Sequence, residues 1–248
     1  MIKSFITYSF LFLAFISCKK ENAGDCFKSN GSEITESRFT ESFTKVEMND
    51  KIDVTISCGT EFNVEVFGGK HILKNIYTKV KDGVLIIENH NKCNFVRGYK
   101  KRVKVNLTLP YLYSAVNNGV ATLIINDGFT QDSVRIRAES SGDIHLKGTY
   151  SYIKAHANGN GDVYLKGACN SLVVYINGTN YLRASELKIK DWVFIETLTK
   201  GDCYLNAEGL KKLEYLIYQE GNIYYKGHPA SIRGSVEADA KGKVIQED

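Results

Sequence analysis

Gly142-Asp143-Ile144-His145-Leu146-Lys147-Gly148 is echoed by Gly161-Asp162-Val163-Tyr164-Leu165-Lys166-Gly167, and three looser copies follow: Asn180-Tyr181-Leu182-Arg183-Ala184, Gly201-Asp202-Cys203-Tyr204-Leu205-Asn206-Ala207 and Gly221-Asn222-Ile223-Tyr224-Tyr225-Lys226-Gly227. A period of about 20 residues marks a solenoid, in which one circuit cannot bury its apolar face alone and must stack on its neighbours. The expected fold is therefore an all-β, β-helix-like solenoid with coils of about 20 residues.

Setting Asp143, Asp162, Tyr181, Asp202 and Asn222 in one column, with one inserted residue near Asn180, sorts the flanking strands by alternation. Ile144/Leu146, Val163/Leu165, Leu182/Ala184, Cys203/Leu205 and Ile223/Tyr225 point inward after the turn. Val134/Ile136/Ala138, Ile153/Ala155/Ala157, Leu172/Val174/Ile176, Val193/Ile195/Thr197 and Leu213/Tyr215/Ile217 point inward before it. Full burial of each Val, Leu or Ile contributes about 1.5 to 3 kcal/mol over exposure. At the corners, Gly142, Gly161, Gly201 and Gly221 are expected to supply a positive backbone angle. Asp143, Asp162, Asp202 and Asn222 are expected to close each turn with their own side chains. The decayed corners, Asn180-Tyr181 and Gly242-Lys243, should be looser.

The outward column beside the turn reads His145, Tyr164, Arg183, Tyr204 and Tyr224, with Lys147, Lys166, Asn206 and Lys226 two residues on. Strands about 4.8 Å apart would make these one ladder of aromatic and cationic groups. Planar rings interleaved with hydrogen-bond donors suit the apolar faces and hydroxyls of a glycan, which makes the column a candidate ligand face. The competing use is structural, rings stacking on like neighbours to stabilise exposed strands.

The N-terminus carries Lys3 and then the apolar run Phe5 to Ile16, closing on Ser17-Cys18. About 12 residues are too few to span a bilayer, so residues 1–17 read as an export signal that is removed. Ser17-Cys18 resembles the lipobox of bacterial lipoproteins, which implies lipidation of Cys18 and a membrane anchor. The aromatic Phe15 at minus three departs from the commonest pattern but is similar to signals of the Bacteroidetes group, and an ordinary signal peptide is the alternative. Each buried acyl methylene would add about 0.8 kcal/mol to anchoring. Residues 18–37 are polar and aperiodic, a flexible tether. Residues 38–248 form the folded domain, with a less regular β half at 38–110 and the repeats at 111–248. Period-two runs in the first half include Phe43 to Met48, Ile52 to Ile56, Phe62 to Val66 and Val103 to Leu109, and Asp82-Gly83 signals a hairpin between Ile76 to Val80 and Val84 to Glu88.

Five cysteines besides Cys18 cannot all pair in an oxidising compartment. Cys203 falls on an inward position and reads as a small buried hydrophobe. A Cys26 to Cys93 bridge is the first expectation, with Cys58 to Cys93 behind it. The formal net charge of +4 drops when Lys3 leaves with the signal; it favours no partner class and gives no reason to expect nucleic acid. His145 and His156 lack an ordered third ligand, so no metal is expected. Asp143, Asp162 and Asp202 recur at corners instead of facing one another across a cleft at the roughly 5 to 9.5 Å of a glycosidase pair, so their role is structural. No catalytic residue and no cofactor is expected.

The chain resembles the DUF2807, or head GIN domain, family, whose members are described as autotransporter adhesin heads and are common among Bacteroidetes lipoproteins. The resemblance rests on Arg38 to Val46, Ile52-Asp53-Val54-Thr55-Ile56, Ile76 to Ile87, Asn91-Lys92-Cys93-Asn94-Phe95-Val96-Arg97 and the Gly-Asp repeats ending in Tyr225-Lys226-Gly227-His228-Pro229. It implies a right-handed parallel β-helix-like fold and an extracytoplasmic setting, and no activity. The leading functional expectation is a non-enzymatic, envelope-anchored binding or adhesion module for a glycan or an envelope protein. A polysaccharide-acting enzyme, or a structural lipoprotein whose open solenoid edge is covered by a partner, are the alternatives. Oligomeric state, and whether the domain faces the periplasm or the outside, stay open.

Overall fold

Residues 29–92 and 102–248 are described by the computed structural model. Their strands stack as a β-solenoid of about 7 turns. In chain order the strands are β1 (Glu33–Arg38), β2 (Lys45–Met48), β3 (Ile52–Cys58), β4 (Asn63–Gly69), β5 (Ile76–Lys81), β6 (Val84–Asn89), β7 (Val103–Leu109), β8 (Ser114–Asn117), β9 (Leu123–Ile125) and β10 (Thr130–Ala138). The repeats follow as β11 (Ile144–Gly159), β12 (Val163–Gly178), β13 (Leu182–Thr199), β14 (Cys203–Asn206), β15 (Lys212–Ile217), β16 (Ile223–Lys226), β17 (Ile232–Val236) and β18 (Val244–Glu247). A single helical turn, α1 (Lys70–Leu73), follows β4.

Two parallel ladders run the length of the stack. The front sheet is built from β6, β2, β8, β10, the second halves of β11, β12 and β13, then β15 and β17. The back sheet is built from β7, β3, β9, the first halves of β11, β12 and β13, then β14, β16 and β18. Period-two alternation fills the space between them: every inward residue expected from the repeats is buried except Tyr215, which is half-exposed.

The first half stacks out of sequence order. The β2–β3 circuit is sandwiched between the later β6–β7 circuit on one side and the β8–β9 circuit on the other. Beyond β6–β7, β4 pairs antiparallel with β7, β1 with β4, and β5 with β6, which ends the parallel ladder and covers the core at that end. β1 lies inside the stretch expected to be tether. Its polarity misled because it is an edge strand, held by its register with β4 and by the Arg38 guanidinium, which donates to the carbonyls of Ile76 and Leu73 and to Thr78. The signal peptide, Cys18, and the Cys26 and Cys93 of the expected bridge lie outside the described residues. Cys58 is a free, exposed thiol; Cys169 and Cys203 are free and buried, and burial pushes both thiols up to about 12.

The corners work differently from the expectation. None of Gly142, Gly161, Gly201 or Gly221 has a positive φ. What each needs is room: a Cβ at Gly161 would strike the Gly142 carbonyl, one at Gly201 the Asn180 carbonyl, and one at Gly221 the Gly201 carbonyl. The carboxylates likewise clamp coils together instead of closing their own turns. Asp143 accepts from the Asp162 N–H, Asp162 from the Tyr181 N–H and Asp202 from the Asn222 N–H, each at 2.8 Å, and Asn222 accepts from the Lys243 N–H at 2.9 Å. Asn180 stands in the glycine column but is wholly buried, donating to the carbonyls of Gly159 and Asn177, so this corner is closed and not loose. The repeat's extra residues fall inside β13, as register shifts between Tyr164 and Lys166 and between Cys169 and Ser171 of its partner β12, and not near Asn180.

Candidate functional site

On the back sheet, register places His145 beside Tyr164, Tyr164 beside Arg183, Arg183 beside Tyr204 and Tyr204 beside Tyr224. The rings lie flat on one another. His145 and Tyr164 are 4.2 Å apart and within 3° of parallel, and Tyr204 and Tyr224 are 5.3 Å apart at 11°. Arg183 bridges the two pairs, its guanidinium 5.7 Å from the Tyr164 ring and 6.0 Å from that of Tyr204, while its Nε donates to Asp162 at 3.2 Å. Tyr164 and Tyr204 direct their hydroxyls at the clamp carboxylates of Asp162 and Asp202. Burial lowers the His145 pKa, with Lys166 adding and Asp143 and Asp162 opposing; burial, then Asp162 and Asp202, raises those of Tyr164 and Tyr204. Two residues on, Lys147 is paired with Asp127 at 2.9 Å and Lys166 with Glu186 at 2.6 Å, while Lys226 is exposed beside Asn206. The rings thus turn their faces to each other and their edges to solvent, a geometry suited to holding coils together.

The front sheet carries a different aromatic surface. Four rings run diagonally across β11, β12 and β13: His156 to Tyr175 at 6.5 Å and 84°, Tyr175 to Phe194 at 5.9 Å and 59°, Phe194 to Trp192 at 6.3 Å and 36°. Being tilted, they do not cover one another. They line two adjoining hollows of about 490 and 370 Å³ that share Tyr175. Tyr152, Leu216 and Arg233 complete the first; Lys154, Glu196 and Leu198 complete the second. Trp192, the chain's single tryptophan, is half-buried, and its indole N–H donates to Glu214 at 2.6 Å. Glu214 is also paired with Lys212 at 2.7 Å, and these two donors keep its carboxyl below the usual range. The outcome is a concave strip, apolar at its floor and polar at its rim, of the kind that holds ligands.

Inward–outward alternation alone does not mark this groove. Its signal was present in the runs Val173-Val174-Tyr175 and Trp192-Val193-Phe194-Ile195, where apolar residues occupy the outward positions as well as the inward ones. A strand apolar on both sides of a single-walled stack must either be covered or present an apolar surface. His156 lies within 3.8 Å of Glu139 and edge-on to Tyr175, on the sheet opposite His145, and no group of three potential metal ligands occurs among the described residues. Asp143, Asp162 and Asp202 are engaged in the coil clamps. A third hollow, of about 440 Å³, lies where β11, β12 and β13 turn between the sheets, with Tyr150, Cys169 and Ile189 on its wall.

Comparison with known proteins gives consistent results. A family model described as "Putative auto-transporter adhesin, head GIN domain" (DUF2807) matches residues 42–229. Among solved structures, a "putative adhesin" of Bacteroides fragilis superposes with a TM-score of 0.79 at 23% identity, covering 87% of this chain and 97% of its own. A "putative adhesin" of Parabacteroides distasonis gives 0.65 at 18% identity, covering 88% and 98%. A "putative lipid binding protein" of the same organism gives 0.63 at 16%, covering 89% and 98%. These similarities establish the shared fold. No curated protein matches the chain.

Proposed function

The chain belongs to the head GIN domain (DUF2807) family, and from that premise we propose that it is a non-enzymatic binding or adhesion module of the cell envelope whose contact face is the front-sheet groove around Trp192, Phe194 and Tyr175. The observation that carries this reading is the orientation of the rings. Sugar rings and apolar side chains stack on exposed aromatic faces, and those of the groove are tilted into an open concavity while those of the back-sheet ladder are consumed by their neighbours. The family is described as an adhesin head, and the solved relatives named above as two adhesins and a lipid binding protein, not as enzymes. The Ser17-Cys18 signal supports a lipid anchor at Cys18, with residues 18–32 as the spacer before β1.

Binding to glycan arrays and to envelope extracts tests the assignment with two variants. Trp192→Ala combined with Phe194→Ala should abolish binding, whereas replacing Tyr164, Tyr204 and Tyr224 together by Ala should lower stability and leave the affinity of the folded fraction unchanged. The opposite pattern would place the contact on the ladder. A Cys18→Ala variant, tested by membrane fractionation, should lose its anchor.

A further inference from the structure

The groove continues toward the N-terminal end of the front sheet as a file of cations. One register column reads Lys45, Ser114, Arg135, Lys154, Val173, Phe194, Glu214, Arg233. With rungs about 4.8 Å apart, it spans on the order of 30 Å. Several exposed cations of this chain are matched with carboxylates, as in Arg102 with Asp53, Arg137 with Glu139, Lys147 with Asp127 and Lys211 with Asp191. Lys45, Arg135 and Lys154 are not. Among the described residues none of the three has a carboxylate partner; each leans on an aromatic ring instead. Lys45 and Arg135 approach Tyr113 from the rungs before and after it, at 5.6 and 5.0 Å, and Lys154 lies 5.1 Å from Tyr175 in the groove. Rings hold the cations in place without neutralising them.

Building on the groove as contact face, we infer that the ligand is an acidic polysaccharide, a single chain bearing carboxylate or sulfate groups. Its sugars would stack on Tyr175, Phe194 and Trp192 while its anions run along Lys154, Arg135 and Lys45. The file is one residue wide. Glu47 and Glu139 stand in or beside the neighbouring columns and Glu196 borders Tyr175, so a broad polyanion such as a nucleic-acid duplex would meet carboxylates where a slender chain would not.

The experiment measures binding of the full chain, kept in detergent, to two matched pairs of polymers, polygalacturonate against its methyl ester and dextran sulfate against dextran, with single-stranded DNA alongside. The acidic member of at least one pair should bind about tenfold or more tightly than its neutral partner, in line with three charge contacts at solvent-accessible positions, and the advantage should shrink as salt is raised. The double variant Lys45→Gln, Arg135→Gln, at positions outside both hollows, should cut the acidic polymer's advantage several-fold and leave the neutral polymer's affinity unchanged, and adding Lys154→Gln should remove what advantage remains. Equal binding of acidic and neutral polymers, both lost in Trp192→Ala, would overturn the acidic ligand and keep the groove. Tighter binding of DNA than of either acidic polymer, or binding of neither acidic polymer, would overturn the inference as well. Charge-dependent binding that survives Trp192→Ala would instead remove the groove reading beneath it.

Discussion

Replacing Gly201 by Ala isolates what the corner glycines do. Gly201 has no positive φ, so the added methyl meets no backbone penalty of its own. It meets the neighbouring coil: the Cβ would overlap the Asn180 carbonyl, with the Thr179 carbonyl at 3.0 Å. Both obstacles are backbone and cannot swing aside, so the two coils must separate locally. Overpacking of this kind costs about 1 to 3 kcal/mol. The separation also stretches the inter-coil bonds from Leu182 N–H to the Asp202 carbonyl and from Lys200 N–H to the Gly178 carbonyl, each worth about 1 kcal/mol. A total of about 3 to 5 kcal/mol is expected. Gly83→Ala is the control, because Gly83 has φ +73° and nothing within 4 Å of its would-be Cβ; there only the left-handed backbone is penalised, at about 1 to 2 kcal/mol. Urea unfolding followed by circular dichroism reads both as shifts in midpoint. A Gly201→Ala variant no less stable than Gly83→Ala would refute the close-approach account of the corners.

Asp162→Ala removes the acceptor of the Tyr181 N–H and the partner of Arg183, and should cost about 1 to 3 kcal/mol in the same assay, more than Lys226→Ala at an exposed position. Because His145 titrates below its ordinary value in the folded chain, the unfolded chain takes up its proton first as pH falls; His145 therefore adds stability that is full above about 6.5 and declines below it. His145→Gln should flatten that part of the stability profile, and an NMR titration giving His145 an ordinary or raised pKa would refute the burial argument. Cys58 should be alkylated in the native protein while Cys169 and Cys203 react only on unfolding, which peptide mapping by mass spectrometry checks; rapid labelling of Cys203 would contradict its place in the core.

Much of this architecture could be read from the chain because each repeat obeys one rule, apolar inward and polar outward, with a fixed corner. Residues such as Ile144, Val163, Leu182, Cys203 and Ile223 are in register because their sequence spacing and the coil length coincide. The first half follows no such rule. β6 packs against β2 with β3, β4 and β5 between them along the chain, and β1, β4 and β5 make antiparallel pairings that cap the stack, so neighbours in space have no constant separation along the chain. At the corners the sequence marked the right residues for the wrong reason: Gly-Asp looks like a self-contained turn, but its glycine makes room for the next coil and its carboxylate binds that coil's backbone. The ladder on the back sheet was legible from alternation alone, yet alternation cannot tell whether rings face one another or the solvent. That depends on side-chain tilt, which separates the stacked His145–Tyr164 pair from the splayed Tyr175–Phe194 pair. The groove was hidden because its residues sit within runs whose inward members already accounted for the apolar signal.

Trp192 offers the most direct test of the groove as contact face, since its emission is the protein's only tryptophan signal and reports on the groove itself. Titration with a ligand selected from the arrays should shift or quench that emission with the same midpoint as calorimetric binding, and Phe194→Ala should weaken both together. Calorimetric binding at full affinity with the Trp192 spectrum unchanged would mean that the ligand sits elsewhere on the solenoid.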